Sequence, residues 1–165
     1  MAKNAGITRP ESFLDVTPES YREIMDTNLR SVYFGCQAAI ERMIESGGGS
    51  IVNLSSTSGL VGSRTSATYS ASKGGIRLLT YSLAAQFGRD GIRVNVVHPG
   101  TVPTAITMDD LGTVSEADND TSAIPLDRVG APEEMADGVV FLASDPASYV
   151  TAESLVIDGG RTNAA

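Results

Sequence analysis

The chain has 165 residues, 41% of them hydrophobic, which fits a single domain over residues 1–165 with room for a substantial core. Its formal net charge of −8 and its isoelectric point near 4.5 argue against nucleic-acid binding, which usually requires a basic patch. No apolar run approaches the roughly 20 residues of a membrane helix, and no charged-then-apolar leader begins the chain, so we expect a cytoplasmic protein without membrane contact.

The first long helix is predicted over about residues 18–45. Thr17 is a good N-cap and Pro18 suits the first helical position, whereas residues 4–16 have the glycine, proline and polar residues of a loop. Apolar residues then recur at helical spacing, in a stripe so broad that the helix is expected to be buried on more than one side. The glycine triplet at 47–49 indicates its end.

A buried strand is predicted next, from the short apolar run S-I-V-N-L-S-S at 50–56. Ser56 stands at the carboxyl end of this strand, where open α/β sheets place their ligands. Residues 57–66 form a Gly/Ser/Thr-rich loop, and a second long helix follows from about 67 to 87, ending at Gly88.

Tyr69 and Lys73 begin this second helix, and their i, i+4 spacing puts both side chains on one face. A neighbouring ammonium favours the phenolate, so we expect Lys73 to lower the pKa of Tyr69 below its usual value of about 10. Tyr69 could then exchange a proton with an alcohol or a ketone. A Y-x-x-x-K pair is common in proteins, however, and by itself it says little about function.

The remainder of the chain continues to alternate strands and helices. The run I-R-V-N-V-V-H predicts a buried strand, a short helix follows over about 132–143, and S-L-V-I-D predicts a last strand. Such alternation indicates parallel βαβ connections and therefore an α/β fold. The stretch 101–130 is irregular, and its five acidic residues between Asp109 and Asp120 predict a solvated loop.

Two single residues have structural rather than chemical interpretations. Cys36 falls within an apolar helical run and is predicted to be a core thiol. His98 is the only histidine, and it has no cysteine or acidic cluster at ligand spacing. We therefore predict no metal site, and a hydrogen-bonded structural role for His98 at the end of its strand.

Five features in order and spacing resemble the short-chain dehydrogenase/reductase family, in particular its 3-oxoacyl carrier-protein reductases and glucose dehydrogenases. They are N-A-G at 4–6, Asn28 within D-T-N-L, Ser56, Y-S-A-S-K at 69–73, and P-G-T-V-P-T at 99–104. The resemblance covers essentially the whole chain, including R-V-G-A-P-E-E-M-A and the closing V-I-D-G-G. It implies the C-terminal part of a Rossmann-like, doubly wound parallel sheet, with about three strands and two long helices.

The resemblance also implies a set of roles for the candidate catalytic residues. Tyr69 would be the general acid/base, and Ser56 would hydrogen-bond the reacting oxygen and stabilise its developing charge. Lys73 would depress the pKa of Tyr69 and hydrogen-bond the nicotinamide ribose, while Asn28 would help to hold a water that links Lys73 to solvent. Without the family spacing, Asn28 would be read only as a helix residue that interrupts the apolar stripe.

The implied cofactor is NAD or NADP, and the implied substrate is a small-molecule alcohol or ketone. Two further groups of residues would bind the cofactor beside Tyr69 and Lys73: Asn4, Ala5 and Gly6 on its adenosine side, and Pro99, Gly100, Val102 and Thr104 at the nicotinamide carboxamide. The contact at the carboxamide would use the backbone of Val102 and the hydroxyl of Thr104. In the absence of the family context, Pro-Gly is simply a turn after a strand.

The N-terminal end of the family pattern is not found in this sequence. Family members begin with a strand, a Gly-rich turn of the form T-G-x-x-x-G-x-G, and a helix before they reach N-A-G, whereas Met1 here stands three residues before Asn4. The chain therefore looks like the C-terminal two-thirds of a family member. No strand is predicted before Asn4, so one edge of the sheet is expected to be exposed.

Three hypotheses for function follow from these observations. The first is an oxidoreductase that transfers a hydride between NAD or NADP and a small alcohol or carbonyl compound. The second is a truncated, catalytically silent module that self-associates, since the family packs its two long helices, here 18–45 and 67–87, against their copies in a four-helix bundle. A dehydratase or an epimerase of the same family is a weaker third hypothesis. A homo-oligomer is expected under the first two.

Overall fold

The computed structural model describes residues 1–3, 6–63, 65–103 and 121–164. Asn4, Ala5 and Thr104, which were assigned to cofactor binding, lie outside the described residues, as does the acidic stretch from 109 to 120. The expectations for these positions stay predictions. Within the described ranges, no helix is both long and apolar enough to cross a membrane.

Four parallel strands form one sheet in the order β1-β2-β3-β4: β1 Ala2–Lys3, β2 Gly49–Leu54, β3 Ile92–Pro99 and β4 Ser154–Ile157. The three strands expected from the sequence are confirmed as β2, β3 and β4. The expectation of no strand before residue 4 is wrong, because Ala2 and Lys3 pair with Val52 and Asn53 of β2. Two residues are too few to show an alternating pattern, so only the neighbouring strand reveals this one.

The long helix predicted over 18–45 consists of three consecutive parts, α1 Pro18–Met25, a π turn at Asp26–Arg30, and α2 Ser31–Ser46. Thr17 caps it as predicted, and its side chain accepts a hydrogen bond from the backbone N–H of Ser20 while the Ser20 hydroxyl accepts one from Thr17 N–H. The π turn was not predicted, since a five-residue change of helical pitch leaves no distinct composition.

The other helices follow the sequence expectation closely. α2 ends at Gly47, whose φ of 85° is the left-handed conformation that glycine adopts without strain. α3 spans Ala67–Phe87 and α4 spans Pro132–Ala143, the predicted ranges. The Gly/Ser/Thr-rich loop before α3 contains one short 3₁₀ turn, Thr57–Gly59.

The sheet buries both of its faces, and adjacent strand residues point to opposite sides. One cluster joins α2 and α3 to the sheet and includes Val32, Cys36, Ile40, Ile51, Ile76, Val94 and Val96. A second cluster packs α4 on the other face through Val52, Val97 and Leu142. Helices on both faces of a parallel sheet make the doubly wound arrangement that was predicted.

Cys36 is confirmed as a core thiol, because it is fully buried in the first cluster and its Sγ donates to Asn53 Oδ1 at 3.4 Å. Since all four strands are parallel, their carboxyl ends lie along one edge of the sheet. Gly6 follows β1, Ser56 follows β2, and Gly100 follows β3. This edge therefore gathers the predicted site residues.

Candidate active site

Tyr69 and Lys73 occupy the first two turns of α3. Ser66 caps the helix, and its side chain accepts a hydrogen bond from the backbone N–H of Tyr69 at 3.3 Å. The Lys73 Nζ atom lies 5.6 Å from the centre of the Tyr69 ring. The predicted shared face is confirmed, and the ammonium stands beside the ring of the phenol.

Ser56 meets this helix face from the end of β2. Its Oγ accepts a hydrogen bond from the backbone N–H of Ser58 at 3.1 Å, at the start of the 3₁₀ turn. The Ser56 hydroxyl lies close enough to the phenol of Tyr69 to lower its pKa, as a donor near that oxygen would. The sequence expectation that Ser56, Tyr69 and Lys73 converge on one cleft is confirmed.

The electrostatics of the pair differ from the sequence expectation. Burial raises the pKa of Tyr69, and the hydrogen bond from Ser56 lowers it by less. Burial also lowers the pKa of Lys73 to about 8, because the residue is only 5% exposed and its ammonium loses hydration. The prediction that Lys73 brings the pKa of Tyr69 below its usual value is therefore wrong, because burial opposes the phenolate more than the Ser56 hydroxyl favours it.

Lys73 is also held by the strand ends. Its Nζ donates to the carbonyl oxygen of Leu54 at 3.3 Å. A Cβ atom placed on Gly6 would lie 3.3 Å from Lys73 Nζ and 3.5 Å from Asn28 Oδ1. Gly6 thus lies against the candidate lysine, on the same side as Asn28.

Asn28 is fully buried within the π turn and acts as a clamp on the segment after β1. Its Oδ1 accepts from the backbone N–H of Ile7 at 2.8 Å, and its Nδ2 donates to Ile7 O at 2.9 Å and to Ser72 Oγ at 3.1 Å. Both N–H donors of the amide are in use. The side chain is therefore more than an interruption of the apolar stripe, and the water-holding role stays a prediction.

The structure identifies three supporting residues that the sequence interpretation did not single out. Ser55 is buried and its Oγ donates to the Lys73 carbonyl at 2.8 Å. A Cβ on Gly59 would lie 2.6 Å from Ser55 Oγ and 2.8 Å from the backbone carbon of Lys73. Ser72 joins Asn28 to the Tyr69 carbonyl. The Ser72 contact follows from helical spacing, since Ser72 stands three residues after Tyr69, whereas the other two depend on tertiary packing.

The segment after β3 lies at the next strand end. The Gly100 N–H donates to Ile157 O of β4 at 2.9 Å, and Val102, only 7% exposed, packs beside Gly130. Pro99 closes β3 opposite Ile157. Pro99, Gly100 and Val102 therefore stand at the carboxyl end of β3, the strand that pairs with the one preceding Ser56.

His98 has the hydrogen-bonded structural position that was predicted. It is fully buried, and its two ring nitrogens each lie 3.0 Å from an oxygen, Nδ1 from Ser56 O and Nε2 from Ser154 Oγ. In the described ranges, no group of three His, Cys, Asp or Glu side chains is placed to hold a metal ion.

A separate cavity of about 70 Å³ lies beside Thr101, Gly130 and Asp158. Glu134 lines this cavity and forms an ion pair with Arg128. The Arg128 guanidinium lowers the pKa of the Glu134 carboxylate to about 2. Such a carboxylate stays ionised near neutral pH and is a poor proton donor or acceptor. Proton-transfer groups with perturbed pKa values are found in the Ser56–Tyr69–Lys73 cleft instead.

Comparison with known proteins assigns the family. A family model described as Enoyl-(Acyl carrier protein) reductase matches residues 1–162. A solved structure of a short-chain dehydrogenase/reductase family protein superposes with a TM-score of 0.89 at 40% identity, covering 98% of this chain and 66% of that one. The chain belongs to the short-chain dehydrogenase/reductase family.

Characterised relatives in this family are similar over nearly the whole chain. An L-rhamnose 1-dehydrogenase (NAD(P)(+)) from Azotobacter vinelandii is 45% identical over 161 residues, which are 97% of this chain and 63% of the relative. A gluconate 5-dehydrogenase from Burkholderia cenocepacia, solved in complex with NADP and tartrate, is 32% identical with a TM-score of 0.93, covering 99% of this chain and 64% of that one. The chain thus spans somewhat less than two thirds of the length of these relatives.

Proposed function

We propose that this short-chain dehydrogenase/reductase chain carries the proton-transfer site of an NAD- or NADP-dependent oxidoreductase acting on a small alcohol or ketone. The observation that carries the proposal is the grouping of Ser56, whose hydroxyl lowers the pKa of the Tyr69 phenol, with Lys73 on the same helix face as Tyr69. Relatives named as rhamnose and 3alpha-hydroxysteroid dehydrogenases support oxidoreduction of a hydroxyl-bearing substrate. A cytoplasmic location is part of the same proposal.

In the direction of carbonyl reduction, Tyr69 supplies the proton. Its raised pKa keeps the phenol protonated at neutral pH, so that it donates to the carbonyl oxygen as negative charge develops there. Ser56 provides a second O–H donor for the same oxygen, already aligned by its bond to the backbone of Ser58. In alcohol oxidation the same two groups act in reverse, and Tyr69 must first lose its proton.

Lys73 fits the cofactor. An ammonium has three N–H donors, and in the described part of the chain one of them goes to Leu54 O, so others are directed to a ligand such as a ribose hydroxyl. Gly6 has no side chain to cover the ammonium. When bound, the nicotinamide cofactor supplies or accepts the hydride. Pro99, Gly100 and Val102 are assigned to its carboxamide end together with Thr104 at its predicted position. Gly6, with Asn4 and Ala5 at their predicted positions, is assigned to its adenosine side.

The proposal includes assembly into a homo-oligomer through the outer sides of α2 and α3. Tyr33 and Phe34 on α2 and Leu78 on α3 are all more than half exposed, although they lie on helices whose opposite sides are buried. A second copy of the chain would cover them, as the family resemblance implies.

The test is a comparison of Tyr69→Phe with wild type in both reaction directions. Because the chain covers part of its relatives, it is assayed alone and fused to the remaining part of the Azotobacter vinelandii rhamnose dehydrogenase, with a panel of sugars and secondary alcohols. We expect Tyr69→Phe to lower kcat by about 10²-fold or more, since a general acid/base contributes that much. Tyr149→Phe, which removes the hydroxyl of an exposed tyrosine, is the control and keeps full activity.

The pH dependence provides a second criterion. Oxidation by wild type should speed up as pH rises towards the raised Tyr69 pKa, because the phenolate is the base, and reduction should slow over the same range. Activity that survives Tyr69→Phe, or an oxidation rate that falls with pH, would remove Tyr69 from the reaction.

A further inference from the structure

His98 contacts the backbone of Ser56 from the neighbouring strand. Its Nδ1 lies 3.0 Å from Ser56 O, and the same carbonyl accepts the backbone N–H of Gly59 at 2.9 Å. A carbonyl oxygen has two acceptor positions, and both are now filled. The peptide that follows the Ser56 side chain is thereby fixed from two directions.

The hydrogen bonds continue from the other side of the ring. His98 Nε2 lies 3.0 Å from Ser154 Oγ, which lies 2.6 Å from Tyr81 Oη, and Arg77 Nε donates to that Tyr81 oxygen at 2.9 Å. Five groups from α3, β4, β3 and the end of β2 are thus connected in one chain. The proposed catalytic groups Tyr69 and Lys73 are not members of it.

The Ser56 carbonyl and the neutral form of the ring together fix the direction of the bonds in this chain. A guanidinium can only donate and a carbonyl can only accept, so His98 Nδ1 donates to Ser56 O. In the neutral ring Nε2 then accepts from the Ser154 hydroxyl, whose one proton is thereby used, so the Tyr81 hydroxyl donates to Ser154 and accepts from Arg77. A neutral imidazole that accepts at Nε2 carries its proton on Nδ1, and this proton is donated to Ser56 O.

We propose that His98 is a positioning residue for Ser56, and that the chain from Arg77 through Tyr81 and Ser154 holds its ring in the Nδ1–H tautomer that fixes the Ser56 carbonyl. The role in catalysis rests on the proposed function, because it is Ser56 that would contact the substrate. The tautomer and the fixing of Ser56 do not depend on that function.

The surrounding charges agree with a neutral ring. Burial is the largest influence that lowers the pKa of His98, the Ser56 carbonyl opposes it, and the cationic side chains of Arg77 and Lys73 on α3 lower it further. A protonated ring would carry a second N–H at Nε2 and force the Ser154 hydroxyl to turn round. The one-way order of the chain therefore requires the neutral form.

The first experiment is ¹⁵N NMR of the imidazole, which is unambiguous because His98 is the only histidine of the chain. We expect a protonated Nδ1, an unprotonated Nε2, and a titration midpoint below the 6.5 of a free imidazole. Ser154→Ala removes the donor to Nε2, so it should move the Nε2 resonance and lower the fraction of the Nδ1–H tautomer. An unchanged tautomer in Ser154→Ala would mean that the chain does not hold it. An Nε2–H tautomer in wild type would overturn the proposal.

The second experiment separates the two ring nitrogens with a pair of variants. His98→Asn keeps an N–H donor near the position of Nδ1, whereas His98→Gln extends its amide towards Ser154 and leaves the Ser56 carbonyl without this donor. We expect kcat to fall about tenfold in His98→Gln with little change in KM, and to be largely restored in His98→Asn, as for a small misplacement of a reacting group. Equal losses of kcat in both variants would mean that His98 has a structural role and does not position Ser56.

A third readout needs no turnover and so distinguishes failure of this inference from failure of the proposed function. The Ser56 hydroxyl lowers the pKa of Tyr69, so a misplaced Ser56 should let that pKa rise further. NMR titration of ¹³C-labelled tyrosine should show the rise in His98→Gln and not in His98→Asn. An unchanged Tyr69 pKa in His98→Gln would overturn the positioning role even if the enzyme assay gave no activity.

Discussion

Gly59 determines how closely the loop after β2 approaches the helix that carries the candidate lysine. The atoms that a side chain would meet there include the backbone of Lys73, which cannot turn away as a flexible side chain could. Ser55 and Ser56 stand just before this contact; Ser55 donates to Lys73 O, and the Ser56 hydroxyl lowers the pKa of Tyr69. The absence of a side chain at Gly59 therefore allows the loop after β2 to approach α3 this closely.

We predict that Gly59→Ala destabilises the protein and displaces Ser56. A Cβ at 2.6–2.9 Å from its neighbours forces a shift of loop or helix, and overpacking of this kind costs about 1–3 kcal/mol of unfolding free energy. Chemical denaturation measures the loss. Gly62→Ala in the same loop is the matched control, because nothing lies within 4 Å of its Cβ position. Equal stability of the two variants would contradict the close approach.

The helices α2 and α3 combine a buried side with an exposed apolar side. Tyr33 and Phe34 are 53% and 54% exposed and form an edge-to-face pair with ring centres 5.4 Å apart, and Leu78 is 64% exposed. Single exposed apolar residues are common, but several large ones on the outer sides of the same helical layer are typical of an interface. The helical layer that packs under the candidate site would thus also form the interface between copies of the chain.

We predict that Phe34→Glu and Leu78→Glu weaken self-association by at least about tenfold, because a charge would replace a buried apolar contact at the interface. Sedimentation velocity across a range of concentrations measures the effect. Leu14→Glu, at a residue 91% exposed outside α2 and α3, is the control and should leave assembly unchanged. A wild-type chain that stays monomeric at micromolar concentration would contradict the prediction.

The buried ammonium of Lys73 affects the stability of the whole molecule. Its pKa is about 8 in the folded chain and 10.5 when exposed, so the unfolded chain binds more protons between these values. Unfolding free energy therefore rises with pH across that window. Below it, the full penalty of burying a charge is present, and above it the penalty is gone.

We predict that Lys73→Met raises the unfolding free energy by about 2–3 kcal/mol at pH 7, in proportion to the pKa shift, and that the gain disappears as pH approaches 10.5. Urea denaturation of both proteins at several pH values measures the difference. Arg89→Met, at an exposed cation after α3, should show no such dependence. A gain that does not change with pH would mean that the ammonium is not desolvated by folding.

The parts of the fold that the sequence predicts are those with local signals. The Thr17 cap with Pro18, the Ser66 cap and the Gly47 end fix helix boundaries within a few residues, and the motif spacing brings Tyr69, Lys73 and Ser56 together. The signs of the pKa shifts could not be predicted in this way. They depend on how much water the assembled strand ends and helices exclude, which is a property of tertiary packing.

Two other features escaped prediction for the same reason. β1 exists only through its pairing with β2. The contacts between elements in the His98 chain join residues 42 to 73 positions apart in the sequence. A single sequence shows that such residues are polar, but their partners emerge only when the strands are side by side. Periodicity describes one element at a time, whereas these contacts lie between elements.

The π turn at Asp26–Arg30 shifts the helical register, so α1 and α2 present faces that one continuous α-helical repeat would not align. Its backbone bond runs from Ser31 N–H to Asp26 O, five residues back, so one residue more than an α-helix would use is accommodated there. Each residue turns an α-helix by about 100°. If the same residues continued as an uninterrupted α-helix, α2 would be rotated by about that angle relative to α1, and Cys36 would turn away from the sheet.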